Sequence, residues 1–152
     1  MKYITFLTIF LQVQATIVRV KNCGPKDAVI NSVDITPCEK QPCKLYKGTN
    51  VTMTINFKAN TEQASLKAKV CGKIGPACVP FPLPKPDVCE SIECPVPADS
   101  TNSYSITLPI QYSFPTMNVL GRINLVNENK VDFLCFYPRD NSNNEILQFW
   151  NF

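Results

Sequence analysis

The sequence predicts an all-β protein, an immunoglobulin-like β-sandwich of about seven strands. Three observations carry the prediction. Short runs alternate apolar and polar residues with a period of two. Pro, Gly and Asn turns break these runs at close intervals. No stretch before the C-terminal tail shows helical periodicity.

Taken in order, the chain opens on Met1–Ala15, MKYITFLTIFLQVQA, where one lysine precedes the apolar run Tyr3–Leu11. A bilayer span needs about 20 residues. The run is shorter, and Val13 and Ala15 offer small residues for cleavage, so 1–15 reads as a secretory signal peptide. The mature chain is expected to begin near Thr16, with 16–139 as one domain and 140–152 as a C-terminal extension. A chain of that length buries a single core. The formal charge is +3, and +2 once Lys2 leaves with the leader. That charge is too weak and too scattered for nucleic acid.

Alternation is clearest in NVTMTINFK, where Val51, Met53, Ile55 and Phe57 face one way and Thr52, Thr54, Asn56 and Lys58 the other. In SLKAKV, Leu66, Ala68 and Val70 oppose Lys67 and Lys69. This is the pattern of half-buried antiparallel strands. Similar runs occupy Ile17–Lys21, Val29–Thr36, Ser103–Ile110, Val119–Val126 and Val131–Tyr137. KGTN at 47–50 and NENK at 127–130 are expected hairpin turns, and a short helical turn is possible at Asp140–Phe149. Asn50-Val51-Thr52 is a glycosylation sequon at the polar start of a strand; Asn50 either carries a sugar or is an unused match.

The stretch Cys71–Pro95 places prolines at every second position, Pro80, Pro82, Pro84 and Pro86. Proline has no N–H, and alternate residues of an extended chain point their N–H groups to opposite sides. Donors therefore remain on one side only, at Phe81, Leu83 and Lys85. Such a segment belongs at a sheet border, with Phe81 and Leu83 on one apolar face.

Eight cysteines behind a signal peptide imply an oxidising destination and four disulfides, with 105 possible connectivities. Three local pairs suggest themselves: Cys38–Cys43, Cys71–Cys78 and Cys89–Cys94, all beside prolines and in turns rather than strands. Cys23 and Cys135 are then left to join the ends of the domain. A zinc site would need CxxC-like spacings; none occurs, and the chain has no histidine.

Catalytic constellations are missing as well. Without histidine there is no Ser-His-Asp or Cys-His arrangement. No glycine-rich phosphate loop is present. Glu90 and Glu93 lie close together, but inside a small disulfide loop, where they read as solvated acids rather than as a glycosidase pair. No cofactor and no metal are expected.

The motifs NCGxxxAVINSVDITPCEKQPCKLYKG, VCGKIGPACVPFPLPKPDVCESIECPV and LPIQYSFP followed by LCF resemble the ML lipid-recognition family, which includes sterol carriers and the group-two mite allergens. The resemblance covers Val18 to Phe136. It implies a sandwich whose sheets part around an apolar cavity, and the bridges Cys23–Cys135, Cys38–Cys43 and Cys89–Cys94, with Cys71 and Cys78 additional. It also implies a pocket mouth at Phe81, Ile110 and Phe114. The alternation adds wall candidates: Val51, Met53, Ile55, Phe57, Leu66, Val70, Val119, Ile123 and Leu125, each of which could equally be plain core.

The implied function is a secreted, non-enzymatic, monomeric carrier of a sterol, fatty acid or similar lipid, with transient membrane or receptor contact and possible delivery to lysosomes. A lipid-sensing co-factor of an innate-immunity receptor is the alternative. Two features depart from the sterol carriers. The loop CGKIGPAC carries Lys73 and an extra cysteine pair. The tail DNSNNEILQFWNF, with Ile146, Leu147, Phe149, Trp150 and Phe152, either packs on the sandwich, plugs the pocket or docks a partner.

Overall fold

The computed structural model describes residues 14–139 and the backbone of a short strand at 150–151. Residues 1–13 of the expected signal peptide, the helical turn expected at Asp140–Phe149 and the tail's apolar side chains lie outside the described residues. Among the described residues ten strands follow one another: β1 (Thr16–Ile17), β2 (Val20–Asn22), β3 (Ala28–Thr36), β4 (Asn50–Ala59), β5 (Lys67–Ile74), β6 (Ala77–Pro80), β7 (Thr101–Pro109), β8 (Asn118–Val126), β9 (Asp132–Pro138) and β10 (Trp150–Asn151). They form two antiparallel layers, ordered β1-β3-β4-β7 and β2-β9-β8-β5-β6, with β10 laid against β8. The protein is an all-β sandwich.

The period of two builds both layers. In β4, Val51, Met53, Ile55 and Phe57 are buried, while Thr52 and Thr54 on the outer face meet Thr107 and Ser105 through their hydroxyls at 3.2 and 2.8 Å. The register aligns the inward sets of the first sheet, Val51 with Leu108, Met53 with Ile106 and Ile55 with Tyr104. In the second sheet, Ile123 faces Phe136 and Leu125 faces Leu134. The layers mesh at one end, where the rings of Phe57 and Phe133 meet edge to face at 5.9 Å.

Three expectations about the elements need correction. The run Ile17–Lys21 is not one strand. Val18 is buried and donates its N–H to Val33 O at 2.8 Å, and there the chain crosses from the first sheet to the second, splitting the run into β1 and β2. Cys71 and Cys78 stand on paired strands, not in a turn, because β5 folds straight back into β6 with Gly72 opposite Val79. KGTN is a turn, with Thr49 N–H donating to Tyr46 O at 3.2 Å and Gly48 at φ +80°, but it follows a long excursion from β3 and is not the tip of a two-strand hairpin. NENK does close β8 onto β9: Lys130 N–H donates to Asn127 O at 2.9 Å.

The cysteines form four bridges: Cys23–Cys135, Cys38–Cys43, Cys71–Cys78 and Cys89–Cys94. The first spans 112 residues and ties the turn after β2 to the middle of β9. A 3-10 turn, Val88–Glu90, seats Cys89; its cap Asp87 accepts the Cys89 N–H at 2.9 Å. A single turn of this kind is too short to leave a periodic signature.

Among the described residues, Tyr104 is the one tyrosine buried in the core. Burial, and after it the charges of Asp87 and Glu90, push its phenol above the usual 10.0. A raised acid favours the fold in its neutral form. Its contribution is whole below the unfolded value of about 10 and is lost as pH climbs through the folded value. In urea titrations between pH 8 and 11, the wild-type midpoint should therefore fall more steeply above pH 10 than that of Tyr104→Phe. Parallel curves for the two proteins would refute the assignment.

Candidate functional site

The site begins where β6 leaves the sheet. Phe81 N–H donates to Val70 O at 2.8 Å, and Ala68 N–H donates to Pro86 O at 2.7 Å. The two anchors on β5 are two residues apart, about 7 Å of strand. The facing chain takes five residue steps between its own anchors, so residues 82–85 must arch away from the sheet edge. Pro82 and Pro84 have no N–H with which to close the gap. The border position follows from the proline spacing, but the segment is not the straight extended strip that spacing suggested. Beside the arch lies a hollow of ≈ 570 Å³.

Val70, Phe81 and Leu83 form the apolar side of this hollow. Phe81 meets Phe114 edge to face, with ring centroids 5.0 Å apart at 69°. Phe114 is carried by the β7–β8 connection, which turns as its N–H donates to Gln111 O at 3.2 Å. Phe81, Leu83, Phe114 and Met117 are all half-buried and packed against the core. Phe81, Leu83 and Phe114 thus keep part of their apolar surface in water at the sheet border, where each could gain more by full burial.

Gly72 explains why the rim can be so tight. A Cβ there would stand 2.5 Å from Val119 Cγ1 and 3.7 Å from Phe81 Cε2. Any side chain would have to displace Val119, so the glycine lets β5, β8 and Phe81 converge.

The polar side of the hollow is made by the outward residues of the second sheet. Arg122 Nη2 lies 3.6 Å from Asp132 Oδ2, and Arg122 Nε–H donates to Cys135 Sγ at 3.3 Å. Asn124 Nδ2 donates to Asp132 Oδ1 at 2.9 Å. Lys69 and Lys130 complete this side.

Each residue nominated from the sequence has a definite place. Phe81, Phe114 and Val70 come together at the rim. Ile110 is buried in the core cluster, its carbonyl accepting the Gly48 N–H at 2.6 Å. Val51, Met53, Ile55, Phe57, Leu66, Val119, Ile123 and Leu125 are buried in the one cluster between the sheets. Sequence reasoning missed Met117, half-buried against the core, and Tyr104, Ile106 and Leu108, which face the interior from β7. The β7 set was findable, because those three alternate within the run Ser103–Ile110. Met117 was not, since it sits in a connection without periodicity. Asn50 is exposed at the start of β4. Among the described residues no cluster of His, Cys, Asp and Glu could hold a metal, and no helix is long and apolar enough to cross a membrane.

Comparison with known proteins places this geometry. Residues 17–137 match the family model described as ML domain. The bovine NPC intracellular cholesterol transporter 2 is 35% identical over 141 residues, covering 90% of this chain and 95% of that protein. The Drosophila melanogaster NPC intracellular cholesterol transporter 2 homolog a is 31% identical over 139 residues, covering 89% and 94%. Among solved structures, a Niemann-Pick type C2 protein from Japanese carpenter ant superposes with a TM-score of 0.71 at 22% identity, covering 78% of this chain and 95% of that one, which establishes the shared fold.

Proposed function

The chain belongs to the ML domain family, and from that premise we propose that it is a secreted carrier, not an enzyme, which takes up one sterol, fatty acid or similar lipid between its two sheets. The observation that carries this reading is the half-buried ring pair Phe81–Phe114, which holds apolar surface at the sheet border and packs against the core between the sheets. Phe81 and Phe114 form the mouth, with Ile110 buried in the core they pack against. Val51, Met53, Ile55, Phe57, Leu66, Val70, Val119, Ile123 and Leu125 form the walls, which separate as the ligand enters. Binding draws on removal of the ligand's apolar surface from water, at about 25 cal/mol per Å².

Residues 1–15 direct the chain to secretion, 16–139 form the carrier and 140–152 extend it. Asn50, exposed at the start of β4, accepts a sugar on the way. Delivery is by membrane or receptor contact through the β5–β6 tip. Ile74 and Val79 are 41% and 49% exposed there, despite the neighbouring Lys73. The chain has no histidine, so imidazole protonation cannot trigger release.

Mass spectrometry of organic extracts from natively purified protein should return one lipid class at about one molecule per chain, and an uncharged naphthylamine dye should bind one-to-one and be displaced by that lipid. Protein that yields no lipid and does not brighten the dye would sink the carrier reading.

A further inference from the structure

Resting on the carrier reading, we propose that the ligand is an amphipathic lipid with an anionic head, and that Lys69 and Lys130 on the outer face of the second sheet hold that head. The hollow beside the proline arch is two-sided. Val70, Phe81 and Leu83 supply apolar surface, while Lys69, Arg122 and Lys130 oppose one carboxylate, Asp132. Three cations against one anion leave the polar side positive.

The cations are not equivalent. Arg122 is held by Asp132 and by Cys135 Sγ, and Asn124 takes the other oxygen of the same carboxylate. That internal pairing neutralises Arg122. Lys69 and Lys130 form no ion pair with another described residue. Their ammonium groups are available to a carboxylate, sulfate or phosphate that reaches the hollow's outer lip.

Position makes the two surfaces parts of one site. Lys69 lies on β5 between Ala68 and Val70, the two residues that anchor the arch. Its neighbours in sequence therefore face the core while Lys69 itself faces out, across the gap that the arch leaves at the sheet edge. A chain passing under residues 82–85 would leave its tail against Phe81 and Leu83 and its head beside Lys69. Lys130 reaches the same lip from the end of the β8–β9 turn, which it closes by donating its N–H to Asn127 O with its own φ at +60°. A neutral hydroxyl would gain only a hydrogen bond from either ammonium group, whereas an anionic head gains an ion pair as well, so the arrangement favours charge.

The test uses the full mature chain and displacement of an uncharged naphthylamine dye by palmitate, hexadecanol, cholesterol sulfate and cholesterol. Each charged lipid should displace the dye at about tenfold lower concentration than its neutral counterpart, as one charge-assisted contact at a partly wetted site allows. In Lys69→Gln combined with Lys130→Asn, the ratio should fall below about threefold; asparagine is chosen because it tolerates the left-handed backbone at 130. Raising the salt should compress the wild-type ratio in the same direction. Equal displacement by charged and neutral lipids, or a ratio that the double variant leaves intact, overturns the proposal while the carrier reading stands. Failure of the dye and of all four lipids to bind overturns both. A preference for sulfate over carboxylate, or the reverse, supports it and identifies the head.

Discussion

Replacing Phe81 with aspartate will abolish uptake of an apolar ligand and leave the sandwich folded. Phe81 contributes one of the two rings that frame the mouth, and its edge-to-face contact with Phe114 is made at 5.0 Å. An aspartate there removes a large apolar surface from the ligand's path, forfeits an aromatic contact worth about 1 kcal/mol, and sets a charge where the lipid must pass. A loss of roughly 3 kcal/mol, or more than about a hundredfold in Kd, is expected. The fold should survive because Phe81 is only half-buried at a rim, so the new carboxylate can turn to water; a shift of a few degrees in Tm is expected for a change of this kind. Phe114→Asp should behave alike. Titration with the uncharged dye, alongside circular dichroism of the same samples, checks both. If either aspartate variant binds within threefold of wild type, the mouth has been placed wrongly.

Removing the bridge between Cys23 and Cys135, by Cys23→Ala with Cys135→Ala, will cost more stability than removing any short one. It closes a loop of 112 residues, against 5 for Cys38–Cys43. Loop-closure entropy gives about 5 kcal/mol for the long bridge and about 2 for the short one. The former approaches the whole stability of a small domain, about 5–15 kcal/mol. The long bridge also carries the acceptor for Arg122 Nε–H at Cys135 Sγ, and its loss loosens the polar lip of the hollow. Urea midpoints of the two double-alanine variants against wild type decide the matter. If the long-bridge variant is no less stable than the Cys38→Ala, Cys43→Ala protein, loop closure is not what holds the ends together.

These two residues sets differ in how visible they were before the fold was known. The cysteines were legible because pairing leaves a trace in spacing, and the strands because burial on one face leaves a trace in alternation. The rim was legible only in part. Phe81 could be singled out from its prolines, but its partner Phe114 lies 33 positions away in the numbering, on the far side of β7. No local pattern links them. The arch was missed for a related reason: proline spacing states which donors are absent, not where the remaining hydrogen bonds form. That was settled by β5, which accepts Phe81 at Val70 and reaches Pro86 from Ala68.

By itself the sequence determined the layered all-β class, the inward and outward faces of each strand, the border position of the proline-rich segment and the absence of catalytic imidazole. These are properties of neighbouring residues, set by the period of the strand and by what each side chain can donate. Tertiary structure alone decided that residues 82–85 stand off the sheet, that Phe114 closes on Phe81, and that Lys69, Arg122, Lys130 and Asp132 share one lip. Those depend on register between strands distant in the chain, where side chains become neighbours only after the two layers have packed.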